Sequence, residues 1–111
     1  MTSYYESEDL KKFGNIGQQA KPMADDFFRY YGNVTGTDSA LSKREKALIA
    51  LAVSHAMKCP YCIDAYTTQC LETGSNPEQM MEAVHVAAAM QAGITLVHSV
   101  QMQNHLKKLV L

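Results

Sequence analysis

Apolar positions in this chain recur every three to four residues, and nowhere do they alternate with period two over a convincing length. The pattern predicts an all-α fold. Met23, Phe27, Phe28 and Tyr31 hold helical spacing after Pro22, and Gly32-Asn33 with Gly36 ends that segment. Ser42-Lys-Arg-Glu45 has the form of a capping box, in which Ser and Glu satisfy each other's backbone N–H groups. Leu48, Ile49, Leu51, Ala52, Val53 and Met57 follow, so the helix over 43–58 is apolar most of the way round. Such a helix is buried, in a core or between subunits. Pro60 suits the first turn of the next helix, which runs through Ile63, Tyr66, Cys70 and Leu71 to a terminal Gly74. Asn76-Pro77-Glu78-Gln79 opens a further helix through Met81, Val84, Ala87, Ala88 and Met90, expected to end near Gly93. A last helix covers about Ile94 to Leu109. Residues 1–20 read as a loosely ordered arm, with a short helix around Leu10 to Phe13. The expectation is one domain over residues 1–111, a bundle of five to six helices.

Composition narrows the function. A formal net charge of -1 gives no reason to expect nucleic acid or an acidic membrane surface as partner. No window holds about eighteen consecutive apolar residues, so no membrane-spanning helix is expected. The polar, acidic start lacks the basic and apolar regions of a signal peptide, which makes the expected location cytoplasmic. Three cysteines in a reducing compartment do not suggest a structural disulfide framework. A CxxC pair there reads as redox or metal chemistry.

That pair lies in His55-Ala-Met-Lys-Cys59-Pro60-Tyr61-Cys62-Ile-Asp-Ala-Tyr66. Two cysteines separated by two residues can close a small disulfide ring. Pro60 places Cys59 near the helix N-cap and Cys62 one turn in, beside the positive end of the helix dipole. Thiolates are favoured there, so Cys62 is expected to ionise below the ordinary cysteine value. Cys59, Cys62, Tyr66 and Cys70 fall on one predicted helix face. Tyr66 is placed to hydrogen-bond the Cys62 thiolate, or else to fill the core. His55, one turn before Cys59, is placed to accept or relay a proton near neutral pH. Glu45 is accounted for by its capping box, and Cys70 by packing. His85 and His98 read as core or interface histidines.

The same residues resemble the carboxymuconolactone decarboxylase superfamily, on its alkylhydroperoxidase D-like side. The resemblance spans about residues 40 to 100: Ser42 to Ala56, the Cys59-Pro-Tyr-Cys62-Ile-Asp-Ala-Tyr66 run, Gly74, and Glu82-Ala-Val-His-Val-Ala-Ala-Ala. It is most similar to the arsenosugar biosynthesis-associated peroxidase-like subgroup. It implies a helical homo-oligomer, often a trimer or hexamer, and a thiol peroxidase reaction with no cofactor and no bound metal. By carry-over, Cys62 attacks a peroxide substrate, Cys59 resolves the sulfenic acid, and an external dithiol reduces the disulfide. Three positions depart from alkylhydroperoxidase D. Tyr66 stands for a histidine four residues after the second cysteine, Tyr61 for a histidine between the cysteines, and Ala47 for the relay glutamate. His55 and Tyr66 are the candidates to take over the proton. The competing reading is a binding module in which Cys59 and Cys62, with Cys70 or His55, capture an arsenical or a thiophilic metal. Zinc fits that reading less well, because a structural zinc site commonly takes four ligands from two pairs.

Overall fold

The computed structural model describes residues 6–110, and residues 1–5 of the expected N-terminal arm lie outside the described residues. The described residues are helical throughout, with no strand among them. A 3₁₀ helix over Ser7–Gln18 is followed by α1 (Lys21–Thr35), α2 (Lys43–Met57), α3 (Pro60–Glu72), α4 (Pro77–Val97) and α5 (Ser99–Val110).

Local chemistry explains where α2 and α4 begin. The Ser42 hydroxyl accepts the Glu45 N–H at 3.1 Å, and the Glu45 carboxylate accepts the Ser42 N–H at 2.9 Å. That bonding holds the Glu45 carboxyl below its usual range. Asn76 and Gln79 repeat the reciprocal pair at 2.8 and 3.0 Å. Gly74 follows α3 at φ 96°, a conformation that costs an L-residue energy and glycine none.

Two boundaries differ from the sequence expectation. The N-terminal helix extends on both sides of residues 10–13. Phe13 anchors it, setting its ring edge-on to Phe28 at 5.1 Å and to Tyr31 at 6.4 Å. And α4 continues through Gly93 to Val97. Glycine ends a helix by taking positive φ, and Gly93 does not, so the apolar residues after it extend the ladder.

Helix α2 lies at the centre, packed against α3 on one side and α4 on the other. Ala47 and Leu51 of α2 meet Cys70 of α3 in the core, with Leu48, Tyr66 and Met80 around them. This core is small for the chain. The radius of gyration is 19.1 Å, where a compact chain of this length has about 13 Å. Most of α4 and α5 projects with its apolar residues uncovered: Met90, Ile94, Leu96 and Val97 are all more than half exposed. By length and composition the stretch Pro77–Val110 is apolar enough to cross a membrane. Counting strictly consecutive apolar residues does not register it, because Gln91, Thr95 and His98 interrupt the run.

Candidate functional site

The two-residue link between α2 and α3 builds the site. Lys58 adopts the left-handed conformation at φ 56°, which reverses the chain, and the Cys59 N–H donates to the Ser54 carbonyl at 3.0 Å. Cys59 is then the N-cap of α3, extended at φ -99° and ψ 102°, with Pro60 as the first helical residue. In place of the usual hydroxyl or carboxylate, the Cys59 sulfur accepts the backbone N–H of Cys62 at 3.2 Å. Both cysteines are free thiols and both are half-buried.

Electrostatics divides the pair, against the sequence expectation for Cys62. Burial pushes the Cys62 thiol up to about 11; its hydrogen bond to Cys59 and the charge of Cys59 act in the same direction. The helix start does not reverse this, because the Cys62 backbone N–H lowers the thiol only in part and burial outweighs it. The Ser54 hydroxyl opposes the rise in part. Ser54 is 3% exposed, and its hydroxyl also donates to the Ala50 carbonyl at 2.5 Å. One hydroxyl proton cannot serve both acceptors at once. The Ala50 carbonyl and a Cys62 thiolate therefore compete for the Ser54 proton, and Ser54 must rotate to donate to that thiolate.

Cys59 and Cys62 line a cavity of about 710 Å³ whose walls are largely apolar. The N-terminal 3₁₀ helix supplies one wall through Leu10, Phe13 and Ile16, α1 supplies Tyr31, and α3 supplies Tyr66. The hydroxyls of Tyr31 and Tyr66 are hydrogen-bonded to each other. Burial and this bond raise Tyr31 far above the ordinary tyrosine value, so it stays protonated; the charges of Cys62 and Cys59 add to the rise. Lys12 and Asp9 pair at 2.9 Å beside the same cavity.

Of the residues singled out from sequence, Cys59, Cys62 and Tyr66 are brought together here. His55 is not among the cavity's lining residues. Its Nδ1 lies 2.8 Å from the Leu51 carbonyl within α2, which makes Nδ1 the donor and leaves Nε2 as an acceptor. Cys70 is fully buried in the α2–α3 core, so the expected common face with Cys59, Cys62 and Tyr66 is corrected. Cys59 is outside the helix proper, so the angular count starts at Cys62. From there Gln69 returns to within about 20° and Cys70 turns about 80° away. Gln69 accordingly lines the cavity. Among the described residues no three His, Cys, Asp or Glu side chains converge into a metal-binding group.

Sequence reasoning missed Ser54 and Tyr31. Ser54 is the polar interruption in an apolar helix, a usable signal. Tyr31 was counted among the apolar positions of α1, where its hydroxyl was the neglected feature.

Comparison with known proteins agrees with this architecture. The sequence model of the carboxymuconolactone decarboxylase family matches residues 22–103. A Paracoccus denitrificans protein described as uncharacterized protein 4 in the cox locus is 44% identical over 86 residues, spanning 76% of this chain and 78% of the relative. The apo crystal structure of a carboxymuconolactone decarboxylase family protein from Legionella pneumophila superposes with a TM-score of 0.69. It covers 85% of this chain and 84% of its own at 24% identity, so it supports the fold alone. These matches reach the family and do not single out the arsenosugar-associated subgroup.

Proposed function

The chain belongs to the carboxymuconolactone decarboxylase family, which includes peroxidase-like members as well as decarboxylases, and from that premise we propose a thiol peroxidase that works through the Cys59–Cys62 pair. The observation that carries this reading is the placement of two free, mutually hydrogen-bonded thiols against a largely apolar cavity. A cavity of this size and character suits an organic hydroperoxide better than a metal ion.

The chemistry starts from a dithiol that has lost one proton. Cys59 holds the N-cap position, and Cys62 is hydrogen-bonded to it. Transfer of the Cys62 proton to Cys59 exposes the Cys62 thiolate. That thiolate attacks the terminal oxygen of ROOH, forming Cys62 sulfenic acid and releasing an alkoxide that is protonated to ROH. The Cys59 thiol then attacks the sulfenic sulfur; its proton leaves with the hydroxyl as water, and the disulfide closes. An external dithiol restores both thiols by exchange. The sum is ROOH plus two thiols giving ROH, water and one disulfide.

The uncovered faces of α4 and α5 fit the same reading if the chain is one subunit of a homo-oligomer. Its accessible surface is 8624 Å², where a folded monomer of 12.3 kDa has about 6,100 Å². The excess of about 2,500 Å² is of the size that obligate interfaces bury.

The test is consumption of an organic hydroperoxide with a generic dithiol as reductant. Wild type should turn over, and Cys62→Ser and Cys59→Ser should each lose turnover. Equal consumption by wild type and both variants would remove the reading.

A further inference from the structure

Nothing in the sequence pairs Tyr31 with the CxxC motif, yet the fold sets its hydroxyl against that of Tyr66, a contact spanning 35 residues. Both rings line the cavity that holds Cys59 and Cys62. Tyr66 lies one turn after Cys62 on α3, the i, i+4 spacing that puts two side chains on one face. Tyr31 is held from the other side by the edge of the Phe13 ring, at 6.4 Å and 86°.

We propose that Tyr31 is the positioning residue of a two-tyrosine proton donor, in which Tyr66 protonates the alkoxide leaving from the peroxide and Tyr31 directs that proton and stabilises the phenolate left behind.

The hydrogen-bond arithmetic supports this. Each phenol has one proton, so in a Tyr–Tyr pair one hydroxyl donates and the other keeps its proton for a third partner. Either hydroxyl can donate while both are neutral. Burial disfavours ionisation of Tyr31, so Tyr31 keeps its proton when Tyr66 gives one up, and donates it to the Tyr66 phenolate. In the arrangement where Tyr31 donates, the Tyr66 proton is free for the cavity. The energetics run downhill: a phenol ionises near 10 and water near 15.7, so an alkoxide takes a phenol proton readily. The step balances. The O–O bond breaks, the Cys62–O bond forms, the alkoxide takes the Tyr66 proton, and solvent reprotonates the Tyr66 phenolate. The inference rests on the peroxidase reading, and its test separates the two.

The test compares two oxidants that differ in the leaving group. Cumene hydroperoxide expels an alkoxide, which needs a proton; meta-chloroperbenzoic acid expels a carboxylate, which does not. Single-turnover disulfide formation is followed in wild type, Tyr31→Phe and Tyr66→Phe. Both variants should lose at least about tenfold with cumene hydroperoxide, a threshold set below the roughly 10²- to 10⁴-fold a general acid contributes, and less than about threefold with the peracid. The peracid rate also reports that the site is folded. Equal losses with both oxidants would overturn the relay and leave the tyrosines a packing role. Unchanged rates would overturn it while the peroxidase reading stands. If wild type reacts with neither oxidant, both readings fall.

Discussion

The ionisation of Cys62 gives the sharpest check on the site. Its thiol is raised from 9.0 to about 11, by burial first and by Cys59 second. At pH 8 an unperturbed thiol is roughly one-tenth ionised, whereas one titrating near 11 is about one-thousandth ionised, a hundredfold deficit. A more basic thiolate is also a better nucleophile. With a Brønsted slope of about 0.4 to 0.5, two units of basicity return roughly six- to tenfold. The net expectation is that Cys62 reacts with iodoacetamide about tenfold more slowly at pH 8 than a model thiol, before any steric effect. Fully reduced protein would be alkylated briefly between pH 6 and 11, quenched and digested. Fragment-ion masses then separate modification at Cys59 from that at Cys62. Because the charged form is the disfavoured one, the Cys62 rate should climb through pH 9 and 10 without levelling. Replacing Cys59 by Ser should shift the curve to lower pH, leaving burial opposed in part by the Ser54 hydroxyl and the Cys62 backbone N–H. A wild-type Cys62 curve that levels below about pH 8.5 would refute the reasoning and restore the helix-start argument made from sequence.

Three further outcomes follow from the geometry. Leu51→Ala should destabilise the chain by about 2–5 kcal/mol, because Leu51 is 2% exposed at the α2–α3 contact; denaturant unfolding at fixed protein concentration reads it, and a loss under about 1 kcal/mol would argue that the core lies elsewhere. His55→Gln should change peroxide turnover by less than about threefold, since His55 bonds within α2 and does not line the cavity; a loss of tenfold or more would put it back among the proton-handling groups. Light scattering at micromolar concentration should give a particle several times 12.3 kDa. A monomer in aqueous buffer, or recovery only with detergent or vesicles, would reject the homo-oligomer and, in the second case, point to the apolar stretch Pro77–Val110 as a membrane contact.

What could be read from the sequence was what is local. The capping boxes at Ser42 and Asn76, the Pro60 helix start and the Gly74 stop each depend on residues within about four positions of one another. The end of α4 was not legible, because Gly93 breaks a helix only when its backbone takes positive φ, and the apolar residues after it decide otherwise. At the site, Cys59 as N-cap and Cys62 and Tyr66 on α3 are close in sequence, and all three line the cavity. The cavity is not local. Its walls come from residues 10–16 and from α1, and the Tyr31–Tyr66 contact depends on how α1 packs. The Cys62 thiol is the instructive miss. Helix-start electrostatics is visible in a motif, but burial and the partner sulfur oppose it, and neither exists before the chain folds.

The central claim is that Cys59 and Cys62 pass two electrons to a peroxide through a sulfenic acid and a disulfide. Its most direct measurement is a thiol count on reduced protein, under denaturing conditions, after one equivalent of cumene hydroperoxide and no other reductant. The account predicts a fall from three free thiols per chain to one, with Cys70 as the survivor and a Cys59–Cys62 disulfide in the digest. In Cys59→Ser, a sulfenic acid trapped by dimedone should appear at Cys62. Three thiols remaining after the peroxide, or a disulfide that includes Cys70, would contradict it.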